Sequence, residues 1–281
     1  MNKRVKLWLV TATSLLMVGC IIFGGVMMRF KWDFTKLSTD KYETNNYEIS
    51  DNYSNISIVT DTADVVFLPS ESLKTKVLCH EQSNMKHTVT VKDDTLVIEL
   101  IDTRKWYEHI GINFGTTKIT VYIPEAKYGT LSVKASTGDI CAENLSAETL
   151  EFSVTTGDIN VSNVTCDGDV KINVTTGKTK LINTRCKSVI SDGSTGDILL
   201  NDVVATENFA IERNTGDVKL DGCDAAELSI ETDTGNVTGS LLSDKVFIAE
   251  TDTGSIDVPK TVSGGRCEIT TDTGNIKITI K

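Results

Sequence analysis

The sequence predicts an all-β fold: a parallel β-helix or β-solenoid of 19–20-residue turns with an irregular β cap, preceded by one N-terminal transmembrane helix. Three observations carry this. Thr-Gly recurs with its glycine at Gly138, Gly157, Gly177, Gly196, Gly216, Gly235, Gly254 and Gly274, at intervals of 19, 20, 19, 20, 19, 19 and 20 residues. Around the Thr-Gly turns the residues that alternate with polar ones are mostly apolar on both sides, the period-two signature of a strand with one buried face. An uncharged run, Leu7 to Met28, stands near the N-terminus between basic residues.

The apolar run comes first in the chain. Lys3, Arg4 and Lys6 precede it, and Arg29 and Lys31 follow. Its 22 residues would span roughly 33 Å as a helix, enough for a bilayer core. A cleaved signal peptide usually has a shorter apolar core. A lipoprotein is the other alternative, because Cys20 follows Leu16-Met17-Val18-Gly19, but Ile21-Ile22-Phe23 continues the apolar run past it. The expectation is an uncleaved helix over 7–28 that anchors the chain in the membrane, a cytoplasmic tail over 1–6 and a stalk over 29–46. Basic residues are nearly balanced across the run, and the short tail favours an extracytoplasmic rod.

Composition narrows the function. A formal charge of −11 and a pI near 4.8 argue against nucleic acid, whose phosphates need a basic surface. The cysteines beyond the helix (Cys79, Cys141, Cys166, Cys186, Cys223, Cys267) are too scattered for a disulfide framework. No CxxC occurs, and His80, His87 and His109 all lie outside the repeats. The sequence therefore predicts no zinc site and no cofactor.

Residues 47–128 read as an irregular β cap with the first turns. Ile56-Ser57-Ile58 and Asp64-Val65-Val66-Phe67 form a degenerate turn with Ala63 where glycine would sit. Val89–Val91 and Leu96–Ile98 make a hairpin, and a strand over 118–123 stops at Pro124. Between them lies the candidate contact loop, with Arg104, Lys105, Trp106, Tyr107, His109 and Phe114. Aromatics and arginine dominate binding hot spots; the alternative is that Trp106 and Phe114 pack into the cap's core.

Residues 129–281 are the eight-repeat solenoid. No single unit can bury its apolar face, so the units must stack, which aligns equivalent side chains in ladders. Antiparallel hairpins are the alternative, but a sandwich of hairpins rarely keeps one period over eight units. A right-handed coil is the default for parallel crossovers. Glycine at a fixed place implies a positive φ or a close backbone approach, and Gly168, outside that register, is expected to tolerate change better. Cys166 and Cys186 both fall ten residues after their threonines, which predicts Cα atoms about 5 Å apart and free thiols. The strand over 276–280 is expected to be the uncovered last edge, open to end-to-end self-association.

Asp139, Asp158, Asp197 and Asp217 follow their glycines, while Asp233, Asp252 and Asp272 precede their threonines. One reading is a calcium-binding edge, although calcium wants six to eight oxygens. The other is that each carboxylate accepts backbone hydrogen bonds in its turn.

The Thr-Gly-Asp-Ile and Thr-Gly-Asn-Ile turns at this period resemble a bacterial β-strand-repeat domain of unknown function labelled "putative adhesin", over about residues 47–281. With its N-terminal span the chain resembles LiaG-like membrane proteins of Gram-positive bacteria. The resemblance implies a β-helical fold and no catalytic motif. The expected function is a non-catalytic, membrane-anchored cell-envelope binding or scaffold protein, its partner an envelope polymer or protein; the LiaG-like resemblance adds an accessory role in envelope-stress signalling. The alternatives are a polysaccharide-cleaving β-helix enzyme and a structural spacer. Uniform units leave no room for the long loops that build an enzyme's cleft.

Overall fold

The computed structural model describes residues 3–33, 41–104 and 115–281. The chain forms two compact units, and the first contains helix α1, Lys3–Arg29. This helix is long and apolar enough to cross a membrane. Thr11, Thr13 and Ser14 donate their hydroxyls to the carbonyls four residues back, so the helix itself satisfies them.

The second unit is a coil of stacked β layers. Its N-terminal part holds β1 (Tyr42–Ile49), β2 (Asn55–Thr60), β3 (Ala63–Pro69), β4 (Thr75–Gln82), β5 (Met85–Lys92), β6 (Thr95–Asp102) and β7 (Thr117–Ile123). β5 and β6 form the expected hairpin, with Val89 opposite Ile98, and Asp93 and Asp94 in its turn both take positive φ. The stalk reading ran too far: residues 42–46 already belong to β1.

The repeats follow as β8 (Lys127–Thr137), β9 (Ile140–Thr156), β10 (Ile159–Cys166), β11 (Asp169–Thr176), β12 (Thr179–Cys186), β13 (Ser188–Thr195), β14 (Ile198–Ala205) and β15 (Asn208–Thr215). They continue as β16 (Val218–Cys223), β17 (Glu227–Thr234), β18 (Val237–Leu241), β19 (Lys245–Thr253), β20 (Ile256–Asp257), β21 (Gly265–Thr273) and β22 (Ile276–Ile280). Strands before the Thr-Gly turns pair in parallel with one another, as do strands after them. Leu131, Leu150, Val170, Val189, Phe209, Leu228 and Cys267 thus form one continuous buried ladder. Thr165 stands opposite Arg185, which puts Cys166 and Cys186 at successive rungs, both as free thiols.

Five successive layers turn at a further corner. Asn144, Asn163, Asn183 and Asp202 adopt left-handed φ of 46–55°, and Gly222 takes the same place with φ 63°. In β10 the inward positions shift there from Ile159 and Val161 to Val164 and Cys166. Asparagine, aspartate and glycine are the residues that reach this conformation at least cost.

The layers do not stack strictly in chain order. At the N-terminal end β2 pairs with both β6 and β8, and β3 with both β7 and β9, so the β2–β3 layer lies inside the β6–β7 layer. The antiparallel strands β5 and β4 then flank β6 and β7. At the other end β21 lies between β17 and β19, and β22 between β18 and β20. The expected open edge is therefore corrected: Ile276–Ile280 is an internal strand, and β19–β20 is outermost. Val246, Ile248 and Ile256 are exposed there. Lys281 is tied back to Asp221 by a 2.6 Å ion pair.

Candidate functional site: the turn edge and a buried cap cluster

The Thr-Gly turns form one edge of the coil. A Cβ added at Gly157, Gly177, Gly196, Gly216 or Gly235 would lie 2.0–2.2 Å from the carbonyl oxygen of the glycine one layer below. Gly274 would meet Gly235, and Gly254 would meet Gly274, at 1.9 Å. Gly138 sits on the Ala63 carbonyl at 2.6 Å, which confirms Ala63 as the glycine equivalent. Six of the eight have left-handed φ of 128–159°; Gly235 and Gly274 do not. Close stacking is thus the reason all eight share, and positive φ accompanies it in most. A Cβ added at Gly168 would also meet backbone, 2.5 Å from the Glu148 oxygen, but Gly168 has no left-handed φ. Its expected tolerance is accordingly smaller than the register alone suggested.

The aspartates beside these glycines bind the edge together from layer to layer. Asp64 Oδ1 accepts the Asp139 N–H at 2.9 Å, Asp139 Oδ1 that of Asp158 at 2.8 Å, and Asp158 Oδ1 that of Lys178 at 2.7 Å. Lys178 has no acceptor to offer, and its ammonium lies 3.4 Å from the Asp197 carboxylate instead. The series resumes from Asp197 to Asp217 and from Asp217 to Asn236. It ends on amides: Asn236 Oδ1 accepts from Asn275, whose own Oδ1 accepts from Ser255. An amide both donates and accepts, so the last layers keep the ladder without adding charge.

Asp158→Ala is expected to cost about 1 kcal/mol, since it removes a charge-assisted bond to a backbone N–H, whereas Asp158→Asn should be nearly neutral. Denaturation in calcium-free buffer with a chelator should give the same ordering. A chelator-induced drop in Tm of more than a few degrees, reversed by calcium, would favour the metal-edge alternative.

Of the candidate contact loop, Arg104 is the one described member; Lys105, Trp106, Tyr107, His109 and Phe114 lie outside the described residues.

The structure assembles a second group that the sequence reading passed over. Cys79 and Glu81 alternate on the inward face of β4, and His87 points inward from β5; all three are almost fully buried. Their ligand-type atoms lie within 4.8 Å of one another. Glu81 Oε2 accepts the His87 backbone N–H and faces its Nδ1, both at 2.7 Å. Glu81 Oε1 accepts from Asn45 Nδ2 at 2.7 Å, and His87 Nε2 meets the Thr60 hydroxyl at 2.9 Å. Burial, and then the Glu81 charge, push the Cys79 thiol up to about 12. The signal was present in the sequence: a glutamate on the inward phase of Val77-x-Cys79-x-Glu81, just before Met85-x-His87. A carboxylate at a core position is costly unless hydrogen-bonded or paired.

Comparison with known proteins agrees with this architecture. The Toastrack DUF4097 family model matches residues 53–281. A solved structure from Bacteroides fragilis, described as a putative adhesin, is similar with a TM-score of 0.54 at 18% identity, covering 85% of this chain and 97% of that one. Another so described, from Parabacteroides distasonis, has a TM-score of 0.50 at 14% identity, covering 86% and 98%. At these identities the likeness is one of fold. No curated protein matches the chain. With the family model matching 229 of 281 residues (53–281), the chain belongs to the Toastrack DUF4097 family.

Proposed function

We propose that the protein is a non-catalytic, membrane-anchored binding scaffold of the cell envelope, with α1 as an uncleaved anchor and the coil on the extracytoplasmic side. The observation that carries this is the regularity of the repeats. Successive turn glycines stay 19 or 20 residues apart, so no repeat inserts the long loops with which an enzyme encloses its substrate. A stack of equal layers instead offers extended flat faces and one repetitive edge, a geometry suited to a polymer or to another protein surface. The contact residues proposed on sequence grounds are Arg104, Lys105, Trp106, Tyr107, His109 and Phe114. An accessory role in envelope-stress signalling, implied by the LiaG-like resemblance, is the finer version of this reading.

Co-sedimentation of the full chain, reconstituted in lipid nanodiscs, with isolated peptidoglycan sacculi tests the proposal. Saturable binding without release of reducing ends is expected, and Trp106→Ala with Tyr107→Ala should weaken it several-fold. Release of reducing ends would make the protein an enzyme. Absence of binding to sacculi and to envelope proteins alike would reduce the coil to a spacer.

A further inference from the structure

We propose that Cys79, Glu81 and His87 form a buried site for a borderline-soft divalent cation, of which zinc is the representative. The donor set comprises a thiolate, an imidazole and a carboxylate, the ligand types that zinc takes. Their atoms already lie within 4.8 Å of one another, so small side-chain adjustments bring all three to one ion. They project from adjoining strands β4 and β5, which meet at the tight turn between Gln82 and Met85, a rigid frame for ligands.

The surrounding contacts are those a metal site needs. A ligating histidine generally holds its second ring nitrogen in a hydrogen bond, which fixes the ring and its tautomer. Here the Thr60 hydroxyl occupies Nε2 at 2.9 Å, leaving Nδ1 aimed at Glu81. The carboxylate is held as well, by Asn45 on one oxygen and the His87 N–H on the other. Nδ1 and Oε2, 2.7 Å apart, need a positive hydrogen or ion between them.

A cation bound here takes that place and also displaces the thiol hydrogen of Cys79. Binding forms the metal–sulfur, metal–nitrogen and metal–oxygen bonds, moves the imidazole proton from Nδ1 to Nε2, where it is donated to the Thr60 hydroxyl, and releases the thiol proton to solvent. Affinity should therefore rise with pH. β1 supplies Asn45 and pairs with β4. Binding would fasten it to β4 and β5 and so consolidate this end of the coil.

The test uses the full chain in detergent, stripped with chelator and titrated with cobalt(II), whose spectrum reports thiolate ligation. One cobalt per chain is expected, with a sulfur-to-metal charge-transfer band and visible d–d bands, both lost on adding zinc. Zinc at a hundredfold excess over its dissociation constant should raise Tm by about 4 °C or more. Cys79→Ala should abolish the band, Cys20→Ser should leave it unchanged, and Asn45→Leu should weaken binding by about 10–100-fold. Should Cys79→Ala fail to fold, the wild-type spectrum still decides whether a thiolate ligates. No charge-transfer band in the wild type, or a band that survives in Cys79→Ala, would overturn the proposal.

Discussion

Gly196→Val is expected to destabilise the coil by roughly 3 kcal/mol or more. Two costs combine at this position. Its φ of 129° is one that L side chains rarely adopt, and a Cβ there would sit 2.0 Å from the Gly177 carbonyl oxygen and 2.6 Å from its carbon. The neighbour is backbone in the middle of a stack, so it cannot move without moving Gly157 beneath it. Gly168→Val meets the Glu148 carbonyl at 2.5 Å but has no left-handed φ to lose, and should cost less by about 1 kcal/mol. Denaturant midpoints of the two variants, read from the β-sheet signal, check the ordering. Equal losses at both positions would remove the special role of the turn glycines.

Arg213→Met should raise stability, by about 1–3 kcal/mol. Arg213 occupies the rung above Val174 and Gly193 in a column that also holds Thr60, Ala135, Val154, Thr232, Thr271 and Thr251. Only 1% of it is exposed. Its Nη1 donates to the Val174 carbonyl at 2.9 Å, reaching past Gly193, where a Cβ would come within 1.8 Å of that nitrogen. Among the described residues Nε and Nη2 have no hydrogen-bond partner, and burial draws the guanidinium below its usual range, with Asp192 opposing. A buried guanidinium with two unpaired nitrogens is a net cost that one hydrogen bond to a carbonyl and the Asp192 charge do not offset. Methionine keeps most of the volume and removes the charge; the Val174 carbonyl loses its donor, a penalty of about 1 kcal/mol. A drop in stability on Arg213→Met would show that the guanidinium is better satisfied than this geometry indicates.

The fold was legible because the coil writes itself into the sequence through ladders. Stacked positions share one environment, so Thr-Gly and the residues around it repeat at the layer period. The same logic made the Asn144, Asn163, Asn183, Asp202, Gly222 corner readable, seven residues after each threonine. It was missed because three residue types alternate there, united by tolerance of left-handed φ rather than by chemistry. The order of the last two layers was not legible. Near-identical repeats offer near-identical surfaces, so local pattern cannot say which repeat stacks on which. The cap cluster was obscured for the opposite reason: Cys79, Glu81 and His87 each occur once, on irregular strands with no period to mark them. The turn carboxylates were readable as acceptors, but their partners are the N–H groups one layer away, which only the stacking supplies.

Parallel layers in the observed order define the coil, and two engineered cysteine pairs test both at once. Thr238 lies opposite Lys277, and Lys277 opposite Asp257. Adjacent parallel rungs put Cα atoms about 5 Å apart, within disulfide reach, whereas two rungs put them about 10 Å apart. Under mild oxidation Thr238→Cys with Lys277→Cys should cross-link within one chain, and Thr238→Cys with Asp257→Cys should not. Cross-linking of the second pair alone would mean that the layers follow chain order, and failure of both would contradict the parallel stack.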